Sequence, residues 1–403
     1  MPDWVQHAIW WQVYPLGFLG ADPSGLDREP ARRLDRIADW LDYAVELGVS
    51  GLALGPVFAA STHGYDTVDY HRIDPRLGDE ADFRALVDAA HDRGLRVLLD
   101  GVFNHVGRDF PQFQETLRSG TDDGWFRRDG AEFATFEGHP GLIALDHRNP
   151  AVADFVVEVM CHWLGVGADG WRLDVAYAVP VEFWAAVLGR VREKYPRAYF
   201  FGEVIHGDYK VFIAEGGLDS VTQYEMWKAT WSSLNDRNFF ELAWAMDRHN
   251  GYLESFAPLT FVGNHDVTRI ASALTDERHL PHALVVLLTT GGTPSIYYGD
   301  EQAFRGVKED RAGGDDAVRP TFPADGPGAL APDGWPVYRL HQRLIGLRRR
   351  HSWLHRARTT KLELSNTRLV YETAAGDNRL IVALSLEDDA ANLAVPGATE
   401  VLD

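Results

Sequence analysis

The chain has 403 residues, 45% of them hydrophobic and 12% aromatic, which is ample for a large core and too much for one small domain. A net charge of −20 argues against nucleic acid and anionic membrane surfaces as partners, because phosphate groups call for basic patches. The only cysteine, Cys161, excludes an intrachain disulfide and reads as a small apolar residue on a helix.

From the N-terminus, MPDWVQHAIWWQVYP lacks a basic stretch followed by an apolar run, and no apolar run of roughly 18 residues follows anywhere. A soluble, cytoplasmic protein is therefore expected. Strand-like runs fall at 9–14, 51–56, 96–103, 169–174, 198–203, 219–224, 259–264 and 294–298. Helical periodicity falls between them, at 30–48, 80–94, 150–166, 180–194, 232–249, 279–290 and 336–351. After the fifth strand, DYKVFIAEGG at 208–217 has to contain the missing helix. Eight strands joined by helical crossovers predict a (β/α)8 TIM barrel over 1–105 and 150–351. Residues 106–149, without a helical period, form an insertion after the third strand, and a second irregular stretch, 301–335, follows the eighth. Long loops of this kind are usually functional. From 352 to 403 the period changes to two, with KLELSN, RLVYETAA, RLIVALSL and ANLAVPG separated by turn residues. That predicts a small C-terminal antiparallel β-domain.

Four of the strand-like runs end in polar groups: VLLDGVFNH (97–105), GWRLDVA (170–176), FFGEV (200–204) and FVGNHD (261–266). An apolar run tipped with acids is what a buried strand looks like when it delivers a side chain into a polar pocket, and in a barrel that pocket is the C-terminal mouth. Alternation puts Arg172 and Asp174 on one face, with Trp171 and Leu173 on the other, so the guanidinium can hold the carboxylate. The bland alternative is a buried ion pair. His105 and His265 would each read as structural if alone, but both stand at strand ends beside carboxylates. Thirteen Trp and 14 Tyr favour sugar, since aromatic faces stack on pyranose rings.

Taken in order, the four runs resemble the four sequence regions of the α-amylase superfamily of retaining glycosidases, and GTPSIYYGDE at 292–301 resembles the family's eighth strand. The resemblance covers about residues 9–350. It implies that Asp174 is the nucleophile, Glu203 the general acid/base and Asp266 the third carboxylate that steadies the transition state. An apolar neighbourhood and a nearby carboxylate favour the protonated acid that the first step needs. The resemblance further implies that Arg172, His105 and His265 bind at the reacting ring, that Tyr65 in HGYDTVDY stacks under it, and that Asp100 supports the site. The 106–149 insertion corresponds to the family's domain B. Asn104 matches a position that often helps to bind calcium. Many relatives follow the nucleophile with Lys-His, and those of the cyclomaltodextrinase and neopullulanase type, which RLDVA resembles more closely, with Asn-Glu. This chain has Tyr177 and Ala178. The departure counts against the usual calcium site, although a backbone carbonyl could replace the side chain. Ile205 stands where close relatives often have Trp.

The resemblance thus implies hydrolysis of α-glucosidic bonds in neutral oligosaccharides, with no cofactor required and no protein metal ligands. A transglycosylase or sugar isomerase using the same covalent intermediate is the nearest alternative, and a non-catalytic sugar-binding barrel a remote one. A metal-dependent barrel hydrolase is disfavoured for want of a His-x-His or similar ligand cluster. Linkage, chain-length preference and oligomeric state are left open.

Overall fold

The protein is described by a computed structural model covering residues 2–311 and 313–387. Eight parallel strands form one sheet. They are β1 (Trp10–Val13), β2 (Gly51–Leu54), β3 (Arg96–Gly101), β4 (Gly170–Leu173), β5 (Tyr199–Gly202), β6 (Ser220–Val221), β7 (Leu259–Thr260) and β8 (Thr293–Tyr297). The bonded order is β6-β5-β4-β3-β2-β1-β8-β7, and a parallel bridge between Thr222 and Leu259 joins the two ends into a barrel. All eight lie within or at the edges of the runs read from the sequence. Parallel strands covered by helices are buried on both faces, which is why GLAL, GWRL and YFFG are continuously apolar except where a polar group serves the mouth.

Two apolar layers result. Leu52, Leu99, Trp171, Leu173 and Phe200 face outward and pack under the helices. Trp10, Ala53, Leu98, Tyr199, Phe201 and Leu259 face inward and fill the barrel below its mouth. Trp10 stacks on Tyr199 inside it, with ring centroids 6.1 Å apart.

The surrounding helices are α1 (Leu41–Leu47), α2 (Glu80–Asp92), α3 (Pro150–Val166), α4 (Val181–Lys194), α5 (Tyr209–Ala214), α6 (Tyr224–Asn235), α7 (Phe240–Leu253), α8 (Leu280–Thr289) and α9 (Trp335–Arg350). The short α5 supplies the crossover after the fifth strand, started by the Asp208 carboxylate accepting from the Lys210 N–H. Two expectations need correction. The helix expected over 30–48 begins later, because the N–H groups of Arg33 and Leu34 bond to the Leu77 carbonyl instead of continuing a helix. The single helix expected over 232–249 is two, α6 and α7, separated at Asp236–Phe239. Arg237 there has φ of +51°, which ends a right-handed helix, and the Asn238 side chain restarts the next by accepting from the Phe240 N–H. Apolar periodicity runs through that break, so the sequence hid it.

The 106–149 stretch holds a helix, Pro111–Ser119, that its sequence did not announce, and it is anchored by Phe113 packing edge-on against Phe126 and Phe133. Beyond α9, strands β9 (Arg358–Leu364), β10 (Arg368–Ala375) and β11 (Asn378–Ser385) form an antiparallel sheet. The strand expected at ANLAVPG lies outside the described residues. Among the described residues no helix is long and apolar enough to cross a membrane.

Candidate active site

Strand register builds the centre of the mouth. Arg172 on β4 is paired with Asp100 on β3, so their side chains emerge side by side into the barrel. Arg172 Nη1 donates to both Asp100 oxygens, at 2.7 and 2.6 Å, and to Asp174 Oδ1 at 3.0 Å. Its Nη2 lies 3.0 Å from Glu203 Oε2. One buried guanidinium therefore holds three buried carboxylates from three adjacent strands.

Glu203 is fixed further from two sides. The Tyr224 hydroxyl donates to its Oε1 at 3.0 Å, and the Val175 N–H donates to its Oε2 at 3.1 Å. Val175 reaches that position only with φ of +46°, a left-handed conformation that β-branched residues avoid at a cost of roughly 1–3 kcal/mol. The tight turn immediately after Asp174 thus connects the second carboxylate to the backbone of the first.

On the opposite side of the mouth, His265 Nε2 lies 2.9 Å from Asp266 Oδ2 and also bonds the Tyr65 hydroxyl, which donates to Asp100 Oδ2 at 3.1 Å. Gln12 on β1 meets His265 Nδ1 at 3.2 Å. Tyr14, His265 and Tyr65 lie with parallel rings, with centroid spacings of 6.3 and 5.3 Å. His105 is oriented by the Tyr65 carbonyl at 3.1 Å and by Asn104 at 3.1 Å, and Phe136 from the insertion stacks on it at 4.9 Å. All eight residues expected at the site thereby fall into one connected cluster. Asn104 is turned toward His105, and among the described residues no group of three or more His, Cys, Asp or Glu is arranged to hold a metal ion.

Four residues of the cluster escaped the sequence reading. Arg319, from the 301–335 loop, donates through Nη2 to Asp266 Oδ1 at 2.9 Å and through Nε to the His265 carbonyl at 3.0 Å. It also pairs with Asp315 at 3.0 Å. No local pattern marks it. Gln12 did carry a signal, being a polar side chain at an inward position of an apolar strand, whereas Tyr224, the first residue of α6, did not. Asn264 donates to the Tyr224 hydroxyl at 3.0 Å and accepts from the Asp266 N–H at 2.9 Å, tying the two halves of the mouth together.

The electrostatics differ across the mouth. Burial drives the Asp174 carboxyl well above its ordinary range; Arg172 opposes this, while Glu203 and Asp100 reinforce it. Burial likewise raises Asp100 against the pull of Arg172. Burial would raise Asp266 too, but His265 and Arg319 outweigh it and hold that carboxyl well below the usual range. His105 is pushed down to about 4 by burial, so it is a neutral hydrogen-bonding ring at ordinary pH. Beyond Asp174 and Glu203, the Tyr177 hydroxyl donates to Glu137 Oε1 at 3.4 Å and its ring lies 4.8 Å from that of His206, beside the half-exposed Ile205.

A (β/α)8 barrel with buried carboxylates at its C-terminal mouth places its polar cluster where barrel enzymes carry their chemistry. The family profile "Alpha amylase, catalytic domain" matches residues 12–132 and 121–326. The chain is 30% identical to a cyclomaltodextrinase of Geobacillus thermopakistaniensis (strain MAS1), over 98% of this chain and 71% of that protein. It is 34% identical to a cyclomaltodextrinase of a Bacillus species, over 76% of this chain and 61% of that protein. The solved debranching enzyme of Nostoc punctiforme, soaked with acarbose, superposes with a TM-score of 0.79 and 28% identity, covering 96% of this chain and 90% of that one. The chain belongs to the α-amylase family of glycoside hydrolases.

Proposed function

We propose that the protein cleaves α-glucosidic bonds in malto-oligosaccharides or related neutral α-glucosides, with retention, through a covalent glycosyl–enzyme intermediate. The observation that carries this reading is the pair Asp174 and Glu203 bridged by the two terminal nitrogens of Arg172, an arrangement that suits the roughly 5–5.5 Å separation of a retaining pair better than the wider inverting one. An Asp174 oxygen attacks the anomeric carbon while Glu203 delivers its proton to the leaving oxygen, and the glycosidic C–O bond breaks. Glu203 then takes a proton from water, whose oxygen displaces Asp174 from the anomeric carbon. Arg172 keeps the nucleophile oriented, and the strained turn at Val175 keeps Glu203 beside it. Asp266, held ionised by His265 and Arg319, grips ring hydroxyls as positive charge develops. Tyr65 stacks under the ring, and Asp100 holds Arg172 and Tyr65 in place. None of these steps requires a cofactor. The similarity to proteins named cyclomaltodextrinase and debranching enzyme supports an α-glucan substrate. A single half-buried cysteine suits a reducing, cytoplasmic location.

A second reading, transfer of the same intermediate to a sugar, is favoured by one observation. The Tyr177 ring lies 4.8 Å from that of His206 and close enough to Asp174 and Glu203 for their charges to act on its hydroxyl. The pair of rings can offer an aromatic surface to an acceptor. Proton NMR of the first-formed product anomer, on a panel of maltose, maltotriose, isomaltose, trehalose, sucrose, cyclodextrin and starch, tests both readings beside an Asp174→Asn control. An α-anomer formed by the wild type alone is expected. A β-anomer, or activity that survives in Asp174→Asn, overturns the mechanism.

A further inference from the structure

Opposite the catalytic mouth, where β1, β2 and β8 begin, a small pocket opens between the start of the chain and the turn that follows α9. Its polar lining is Gln6, His7, Arg348, Arg349, Ser352 and His355, and none of its lining residues is acidic. The internal space is about 20 Å³, room for one species the size of a water molecule or a halide.

Both arginines are fixed by neutral acceptors. Arg348 is buried and donates to the carbonyls of Leu288 at 3.2 Å, Thr290 at 2.8 Å and Gly292, closing the end of α8. Arg349 donates to the carbonyls of Gly48 and His7, at 2.8 and 2.7 Å, and to Ser50 Oγ at 2.6 Å. Carbonyls orient a guanidinium but leave its charge uncompensated. His355, only 5% exposed, lines the same space, and its Nε2 has no hydrogen-bond partner among the described residues. A buried ring nitrogen without a partner, facing a cavity beside two cations, is an unsatisfied polar atom in a positive field.

We propose that this pocket binds one small inorganic anion of halide size, held by the Arg348 and Arg349 guanidinium groups beside the His355 ring. The titration behaviour agrees with a missing counter-charge. Burial, then Arg348, Arg356 and His7, push His355 down to about 3, and burial with Arg349 pushes Arg348 down to about 9. The anion joins β1, β2, β8 and α9 at one point, so its effect is on stability, and the catalytic groups lie at the other end of the barrel.

The test is the melting temperature of the full chain as sodium chloride or bromide replaces sodium gluconate at constant ionic strength, gluconate being too large for the pocket. The expected result is a rise of about 2 °C at tenfold excess over the dissociation constant, growing with the logarithm of halide concentration beyond it. Ser352→Asp, an exposed position, places a tethered carboxylate at the opening. It should raise the melting temperature in gluconate and remove the halide response, and His355→Gln should weaken that response. Bromide-soaked crystals should show an anomalous peak beside His355 Nε2. Equal melting temperatures in chloride and gluconate overturn the proposal, as does a halide effect that survives in Ser352→Asp.

Discussion

Arg319→Met isolates the contribution of the loop that follows the eighth strand. The arginine is 9% exposed at its side chain and lies over the Tyr14 ring at 4.7 Å, a contact that an unbranched Met retains. What disappears is the charge-assisted bond to Asp266 Oδ1 and the bond to the His265 carbonyl. A hydrogen bond to a charged group contributes about 1.5–3 kcal/mol, and Asp266 is 31% exposed, so water replaces part of it and the lower end applies. Converted at 1.36 kcal/mol per factor of ten, kcat/KM should fall roughly 10- to 30-fold. A second signature separates this from simple damage. Arg319 helps to hold the Asp266 carboxyl below its usual range, so without it the acid limb of the pH–kcat/KM profile should move to higher pH. Steady-state kinetics on the best substrate, over a pH series, with a melting curve as control, read both. A loss under about twofold with an unmoved acid limb would refute the reasoning.

Glu203→Gln should reduce cleavage of malto-oligosaccharides by about 10²–10⁴ while sparing an α-glucosyl fluoride, whose leaving group needs little protonation; equal losses on both would remove Glu203 from the acid role. Tyr177→Ala should lower the share of transfer products from maltotriose without a matching fall in total consumption, and Tyr177→Phe should restore it, as product ratios by chromatography will tell. Glu301 accepts from Tyr43 and the Gly299 N–H behind the barrel, and burial raises it from 4.5 to about 7. The folded state therefore keeps a proton that the unfolded chain releases, and stability from this group is present below pH 4.5 and lost as pH rises to about 7. Denaturation across that window should show Glu301→Gln gaining about 3 kcal/mol relative to wild type, and a pH-independent difference would reject the shift.

The barrel was legible because its strands are buried on both faces and end in chemistry, so composition and position agree at every one of the eight. The helix break at Arg237 was not, since a backbone angle leaves no trace in apolar spacing. Within the site, residues delivered by strand ends could be read, because a strand fixes where the next inward side chain emerges. Arg319 could not, since nothing in a loop rich in Asp, Gly and Pro states which of its cations returns to the mouth. Gln12 lies between these cases, as it is a polar group where an apolar one would fill the barrel more cheaply.

On the proposed mechanism the site needs an ionised nucleophile and a protonated acid, and Arg172 is the group that opposes the rise burial imposes on Asp174. Asp100, Asp174 and Glu203 surround a single guanidinium, so full ionisation would leave two negative charges in excess in a buried space. Excess buried charge is relieved by taking up a proton, and burial raises Asp174 and Asp100 within this unit of carboxylates around Arg172. The unit can lose its proton to a leaving oxygen and recover it from water while Arg172 stays in place. Asp266 is kept outside that exchange by its own partners, His265 and Arg319, which hold it ionised throughout. Replacing Asp100 by Asn removes one acid from the unit. The trio then has a smaller excess of charge to relieve and less reason to retain its proton at neutral pH. The basic limb of the pH–kcat/KM profile should consequently move to lower pH, and a limb that stays put would show that Asp100 takes no part in holding the proton.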